Sequence, residues 1–393
     1  MRIASDGSPL GVYIHVPFCA SLCGYCDFYR IQSDAGVPEG FEDLVLAEAS
    51  LYKAEPRAAV DTIFIGGGTP SLLEPVRLGH LLRGLREAFD IEPDSEVTLE
   101  ANPETVTFEN LSGWAEAGVN RLSIGVQSTD PCVLKLLERR AGPEQSVQAV
   151  EMALAKGFKR VSADLMTGVP GQGLSSFLAD VALLASLPVD HLSVYALDLH
   201  RGARLFDAVV RGELRLPDDD EAAEAYMAVH ERLFAFGFEH YEISNYARPG
   251  GRCLHNLKYW RCQETVGLGP SAWGRFRGRL TGNVRDVGAW ASAVQRGEHP
   301  HETVEEITEG RRKHDRLIFG LRLSNGVELD EVWEIFGEEG RDPGHLVETL
   351  VANGYAEVEE GRLRLTPLGF LTSNEVLTFL LPDHRMGGHR LTR

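Results

Sequence analysis

The stretch HVPFCASLCGYCDFY, residues 15–29, places Cys19, Cys23 and Cys26 at C-x3-C-x2-C spacing directly after the apolar run YIHV that starts at Tyr13. YIHV reads as a short strand, so the three thiols occupy the loop that follows it. Three thiolates in one loop can hold one inorganic cluster. Zinc would need a fourth ligand, for which Asp27 or His15 stand nearby, but the paired C-x2-C knuckles of structural zinc sites are absent. Unligated thiols are the remaining reading, and three so close together in a chain of only six cysteines weigh against it. Six are also too few for a disulfide framework in 393 residues. The scattered Cys132, Cys253 and Cys262 read as plain buried or surface thiols.

Outward from this loop, short β-branched or apolar runs recur: TIFI from Thr62, EVTLEA from Glu96, RLSIG from Arg121, RVSADL from Arg160 and HLSVYAL from His191. With YIHV these make six expected strands. Between them lie amphipathic stretches with helix signals, such as Asp130 capping before Pro131, and Gly118 and Gly157 just past two helix ends. Regular alternation of strand and helix implies an α/β fold with a parallel sheet of βα units. Periodicity alone does not choose between a doubly wound sheet and a barrel. Chemically loaded residues at nearly every strand end favour a barrel whose one rim carries the site. After about residue 200 the pattern changes to an acidic, alanine-rich helix (PDDDEAAEAYMAVHERLFAFG), then to a Gly- and aromatic-rich region that does not read as another βα unit. From about Thr303 an amphipathic helix, two shorter ones and a closing pair of strands around YAEVEEGRLRLTPLG read as a small winged-helix module.

A length of 393 residues suits two domains of unequal size, and 43% hydrophobic with 25% charged residues is the composition of a globular chain. The net charge of −19 repels a polyphosphate backbone, and no cluster of Lys and Arg offsets it, so nucleic acid is not expected as a partner. The N-terminus lacks a basic segment followed by an apolar run and a cleavage site, and no window of 18 apolar residues occurs. A cytoplasmic location is expected, with peripheral membrane contact left open.

The next loaded segment is IFIGGGTPSLL, a strand running into Gly66, Gly67, Gly68 and Thr69. Glycines admit a ligand close to the backbone, and the N–H groups with the Thr69 hydroxyl can meet a carboxylate or an amino group. Taken alone, it would read as a tight turn. Further on, Glu100 ends its strand, Gln127 follows the next, Arg139 lies on the helix beyond, and Asp164 closes RVSADL. Any one of these could cap a helix. Together they suit a ligand with ribose hydroxyls and a zwitterion.

C-x3-C-x2-C with an aromatic before the last cysteine resembles the radical S-adenosylmethionine (SAM) superfamily, and the surrounding YIHVPFC resembles its oxygen-independent coproporphyrinogen III oxidase-like branch. The resemblance implies a 4Fe-4S cluster on Cys19, Cys23 and Cys26, its open iron binding SAM, which electron transfer from a donor cleaves to a 5'-deoxyadenosyl radical. It implies SAM contacts at Tyr13, Tyr25, Gly67, Gly68, Thr69, Glu100, Gln127, Arg139 and Asp164. One departure stands out: the family's L-x-R-x-H reads Leu137, Glu138, Arg139, Arg140, Ala141 here, so its histidine is missing. The similarity continues through DLMTGVPGQ, LSVYALDL, YEISNYA and GLGPSAW. It implies a partial (βα)6 TIM-like barrel over 1–240, a connecting region over 241–302 and a winged-helix-like α+β domain over 303–393.

Two features separate branches of that family. The oxidase carries a further cysteine two residues after the third, where this chain has Phe28. HNLKYW, residues 255–260, resembles the H-N-x-x-Y-W motif of the haem chaperone branch, which implies haem as cargo and acceptor haem proteins, such as respiratory enzymes, as partners. In that reading His255 offers a nitrogen to haem iron, with Asn256, Tyr259 and Trp260 around the ring. Tyr259 and Cys253 are rival ligands on the same spacing. The oxidase reading, radical decarboxylation of coproporphyrinogen III, is the alternative, and Phe28 counts against it.

Overall fold

A computed structural model describes residues 8–53 and 59–380. Residues 1–7 of the N-terminal stretch and 381–393 of the expected last domain lie outside the described residues. The six expected strands form: β1 (Leu10–Val16), β2 (Ala59–Gly67), β3 (Asp90–Ala101), β4 (Arg121–Gln127), β5 (Arg160–Thr167) and β6 (His191–Ala196). Helices α1 (Phe41–Ser50), α2 (Pro75–Ala88), α3 (Phe108–Ala117), α4 (Pro143–Lys156) and α5 (Leu174–Ser186) return the chain between them. Local sequence explains their limits. Asp130 accepts from the N–H groups of Cys132 and Val133, and Gly118 ends α3 at φ 106°. Leu78, Leu81, Leu82 and Leu85 recur at i, i+3, i+4 and i+7, giving α2 one buried stripe against the sheet.

Strands β1 to β6 are parallel, and their spatial order follows chain order. Every crossover therefore steps the same way. A doubly wound sheet reverses direction at a switch point, and this one does not, so it curls into a partial (βα)6 barrel.

Beyond β6, α6 (Asp219–Ala235) starts on a capping box of Asp218 and Glu221. Residues 241–302, expected as a connecting region, supply strands to both edges of the same sheet. A hairpin of β7 (Glu239–Glu242) and β8 (Asn245–Ala247) pairs through β8 with β6. Helix α7 (Leu254–Trp260) then carries the chain under the barrel. On the far edge β9 (Thr265–Leu268) pairs with β1, followed by β10 (Trp273–Phe276), β11 (Arg279–Asn283) and β12 (His301–Glu306). The glycines here make the coiling possible: a Cβ on Gly267 would lie 2.4 Å from the Trp273 carbonyl oxygen, so β10 folds tightly over β9.

The last module has its own apolar core, a first helix α8 (Glu309–Gly320) and a three-stranded sheet of β13 (Val327–Glu328), β14 (Ala356–Glu359) and β15 (Arg362–Leu365). Its connection lies along the outer edge strand β7, where the Ser324 N–H donates to the Tyr241 carbonyl and Leu323 bridges Glu242.

Candidate functional site

The loop after β1 is pinned at both ends. The Ile31 N–H donates to the Pro17 carbonyl, the Ser33 N–H to that of Cys19, and Arg30 reaches the Cys23 carbonyl at 3.1 Å. Cys19, Cys23 and Cys26 line one pocket of about 340 Å³ at the C-terminal rim of the barrel. Gly68 lies directly behind them; a Cβ there would stand 2.9 Å from Cys19 Sγ. Burial pushes the Cys26 thiol up to about 11, and the Arg30 guanidinium partly offsets it. Arg139 approaches Cys23 Sγ to 3.7 Å. Among the described residues no three His, Cys, Asp or Glu groups converge on a single ion. Three thiols facing one pocket without meeting at a point suit a multi-iron cluster, in which each iron takes one thiolate. The fourth ligands a zinc ion would need are engaged elsewhere. The ring nitrogens of His15 meet Tyr13 Oη at 2.9 Å and the Tyr29 carbonyl at 3.0 Å, while Asp27 faces His200 at 3.3 Å.

The same pocket takes in Tyr25, Gly67, Gly68, Thr69, Glu100, Gln127, Arg139 and Asp164. Gly67 has φ 117°, and a Cβ on it would lie 2.7 Å from the His15 ring. Its N–H donates to Glu100 Oε2 at 3.0 Å. Asn102 donates to Thr69 Oγ1 and accepts from Arg139, which also donates to the Gly125 carbonyl. Asp164 accepts from Ser123. Burial holds the Glu100 carboxyl up at about 8 despite the Gly67 N–H, and Asp164 nearby adds to the shift. Gln127 keeps φ 68°, in the left-handed region that non-glycine residues seldom adopt. Helix capping does not account for these groups: α3 is capped by Thr107 and the next helix by Asp130.

Tyr13 does not line this pocket. Its ring lies deeper in the barrel, 6.2 Å from Phe64 and 6.4 Å from His255. Sequence reading missed Asn102, Ser123, Tyr195, Asp198 and His200, which do line it. Asn102 sits just beyond the end of β3, and Tyr195, Asp198 and His200 end or follow β6. The strand-end rule that found Glu100 and Asp164 also points to them.

Helix α7 carries HNLKYW and plugs the opposite end of the barrel. His255 and Tyr259, one turn apart, face the lumen. His255 is fully buried; Nδ1 meets Thr62 Oγ1 and Nε2 meets Tyr259 Oη, each at 3.0 Å, and its ring stacks on Phe64. Burial, with Lys258 adding, pushes this imidazole down to about 3. Lys258 anchors the helix through Asp61 at 2.7 Å and the Pro9 carbonyl at 2.8 Å. Asn256 is half-buried on the first turn. Trp260 points the other way, to Phe319 and Arg322 of the C-terminal module and to Tyr241, Leu257 and Leu323. The structure therefore does not gather the two aromatics of the motif on one surface. Cys253, buried at the start of α7, lies 3.5 Å from Glu96 Oε1.

The sequence profile of the radical SAM superfamily matches residues 13–184, and that of the HemN C-terminal domain matches residues 310–372. Coproporphyrinogen III oxidase (HemN) from Escherichia coli shares the fold, with a TM-score of 0.79 over 95% of this chain and 90% of that one at 21% identity. Barrel, rim pocket and C-terminal module together define a radical SAM protein of HemN-like architecture, a class that uses a 4Fe-4S cluster and SAM. The chain is 38% identical to Heme chaperone HemW of Mycobacterium tuberculosis over 95% of both chains. It is 34% identical to Heme chaperone HemW of Bacillus subtilis over 94% of this chain and 99% of that one. Within its class, the chain belongs to the haem chaperone family.

Proposed function

We propose that this protein binds haem and passes it to acceptor haem proteins, on a barrel that holds a 4Fe-4S cluster and SAM. The observation that carries the reading is the similarity to haem chaperones along 95% of both chains, barrel and C-terminal module alike. Cys19, Cys23 and Cys26 hold the cluster. The Gly67 to Thr69 backbone and Glu100 would take the amino end of SAM, Gln127 and Asp164 would suit its ribose, and Arg139 and Tyr25 would flank SAM in the same pocket, Arg139 3.7 Å from Cys23 Sγ. Reduction requires an external donor. Phe28, 65% exposed at the pocket mouth, supplies no thiol where the oxidase pattern has one, which supports the chaperone over the decarboxylase.

Anaerobic reconstitution followed by parallel assays tests this. A stable haem complex, with haem transfer to an apo-acceptor and no consumption of coproporphyrinogen III, is the expected result. Steady conversion of coproporphyrinogen III without a haem complex would replace this function with the enzymatic one.

A further inference from the structure

The interior of a closed barrel is filled in layers, chiefly by Val, Ile and Leu. One layer of this barrel departs from that pattern. Glu100, Ser123, Ser162 and His191 stand in register across β3, β4, β5 and β6, so they share one face, and Glu100 and Ser123 line the rim pocket. Asp164, two residues beyond Ser162 on β5, faces the same way one layer higher. Buried polar side chains are destabilising unless each finds a hydrogen-bond partner, so the partners decide what the layer does.

His191 is 2% exposed, and both ring nitrogens are engaged, Nδ1 with Ser162 Oγ at 2.7 Å and Nε2 with Tyr241 Oη at 2.8 Å. Ser162 Oγ lies in turn 3.4 Å from Asp164 Oδ1, and Tyr241 Oη accepts from the Cys253 N–H at 3.3 Å. Burial, with Arg121 adding, holds the imidazole pKa well below its usual range, so the ring is neutral and carries one N–H. Asp164 also accepts from Ser123 at 3.1 Å; burial raises its carboxyl, and the hydroxyls of Ser193, Ser123 and Ser162 with Arg121 oppose that shift.

A carboxylate can only accept, which orients every proton along this line. Ser162 donates to Asp164 and therefore accepts from His191 Nδ1–H. The neutral ring is left with Nε2 to accept from the Tyr241 hydroxyl, whose oxygen takes the Cys253 N–H. Each donor points toward Asp164. The far end is anchored where the C-terminal module joins the barrel: Tyr241 packs in one cluster with Leu257 of α7 and Leu323, and its carbonyl accepts the Ser324 N–H.

We propose that His191 is a positioning residue for SAM: held by Tyr241, it keeps the Ser162 hydroxyl turned onto Asp164 and so fixes the carboxylate that meets the ribose, tying the rim pocket to the joint with the C-terminal module. This rests on the reading in which Asp164 takes the ribose of SAM.

The test titrates SAM against the reduced cluster of the full-length, reconstituted protein by electron paramagnetic resonance, with iron content measured for each variant. Tyr241→Phe keeps the ring and the carbonyl bonded to Ser324 and removes only the hydroxyl. Nε2 then has no donor, the imidazole proton can move to it, and the Ser162 hydroxyl can turn away from Asp164, so SAM affinity should fall several-fold at unchanged iron content. His191→Leu deletes the donor outright and should weaken SAM about tenfold, the lower end of what a hydrogen bond to a charged group is worth. His191→Asn, whose amide nitrogen takes the place of Nδ1, should recover most of that loss. Asp164→Asn breaks the line at its end, so adding Tyr241→Phe to it should not weaken SAM further, as expected for residues acting through one group. Equal losses from Tyr241→Phe with and without Asp164→Asn, or full affinity in both His191→Leu and Tyr241→Phe, would overturn the proposal. An Asp164→Asn variant that binds SAM like the wild type would instead overturn the ribose assignment beneath it.

Discussion

Replacing Glu100 by glutamine separates the charge of this side chain from its position, because an amide oxygen can still accept the Gly67 N–H that now lies 3.0 Å from Oε2. Burial holds the carboxyl up at about 8. The folded chain thus binds this proton more tightly than an unfolded one, whose group titrates near 4.5. The resulting contribution to stability is full below 4.5 and is lost as pH rises through 8. SAM binding should run the other way, since its amino group favours the carboxylate. At pH 7 roughly one molecule in ten carries the charge and at pH 9 roughly nine in ten, so apparent SAM affinity should rise about tenfold, or about 1.4 kcal/mol, across that interval. Glu100→Gln should lose this rise and bind about 10- to 100-fold more weakly at pH 9, the worth of a charged hydrogen bond. The amino group of SAM titrates in both proteins, so the difference between the two pH curves isolates Glu100. The assay is anaerobic titration of SAM against the reduced cluster, followed by electron paramagnetic resonance. Parallel curves for wild type and variant would refute this role.

Alanine at Cys19, Cys23 or Cys26 should abolish the broad visible absorption of the reconstituted cluster, whereas alanine at Cys132, Cys253 or Cys262 should leave it; the reverse pattern would remove the cluster from the rim. Gly68→Ala would place a methyl 2.9 Å from Cys19 Sγ and 2.8 Å from the Pro17 carbonyl carbon, so iron content after reconstitution should fall while far-ultraviolet dichroism stays unchanged. Glu48→Ala strips the acceptor from the Gly269 N–H, the Asn283 amide and the Trp290 indole, and should cost about 3 kcal/mol or more at roughly 1–3 kcal/mol per orphaned donor. A thermal midpoint equal to wild type would show that these donors find water instead.

The barrel was legible because its signals are local. Six apolar runs, the Asp130 cap and the Gly118 terminus each lie within a few residues of what they control. The rim residues were legible for the same reason, since a strand end in a βα unit lies at the site whatever the remainder of the fold does. HNLKYW was only half legible. His255 and Tyr259 at i, i+4 must share a face, and Trp260, about 100° further round the helix, must leave it. Which face meets the lumen depends on where the chain crosses under the barrel. Strands β7 to β11 escaped notice because each has only three to five residues and its pairing is long-range. Glu48 was invisible for the same reason: its three donors lie 221, 235 and 242 residues away.

The contact of Ser324 and Leu323 with β7 has a consequence for anyone who would trim this protein. Strand β7 ends the sheet on that side, and an uncovered end strand presents a row of unpaired N–H and C=O groups on which a second molecule can zip. The C-terminal module closes part of that row with the Ser324 N–H and the Glu242–Leu323 bridge, and seats Phe370 against His240 beside it. Cut away at about residue 303, the barrel would retain every cysteine and every rim residue, and would be expected to stick to itself.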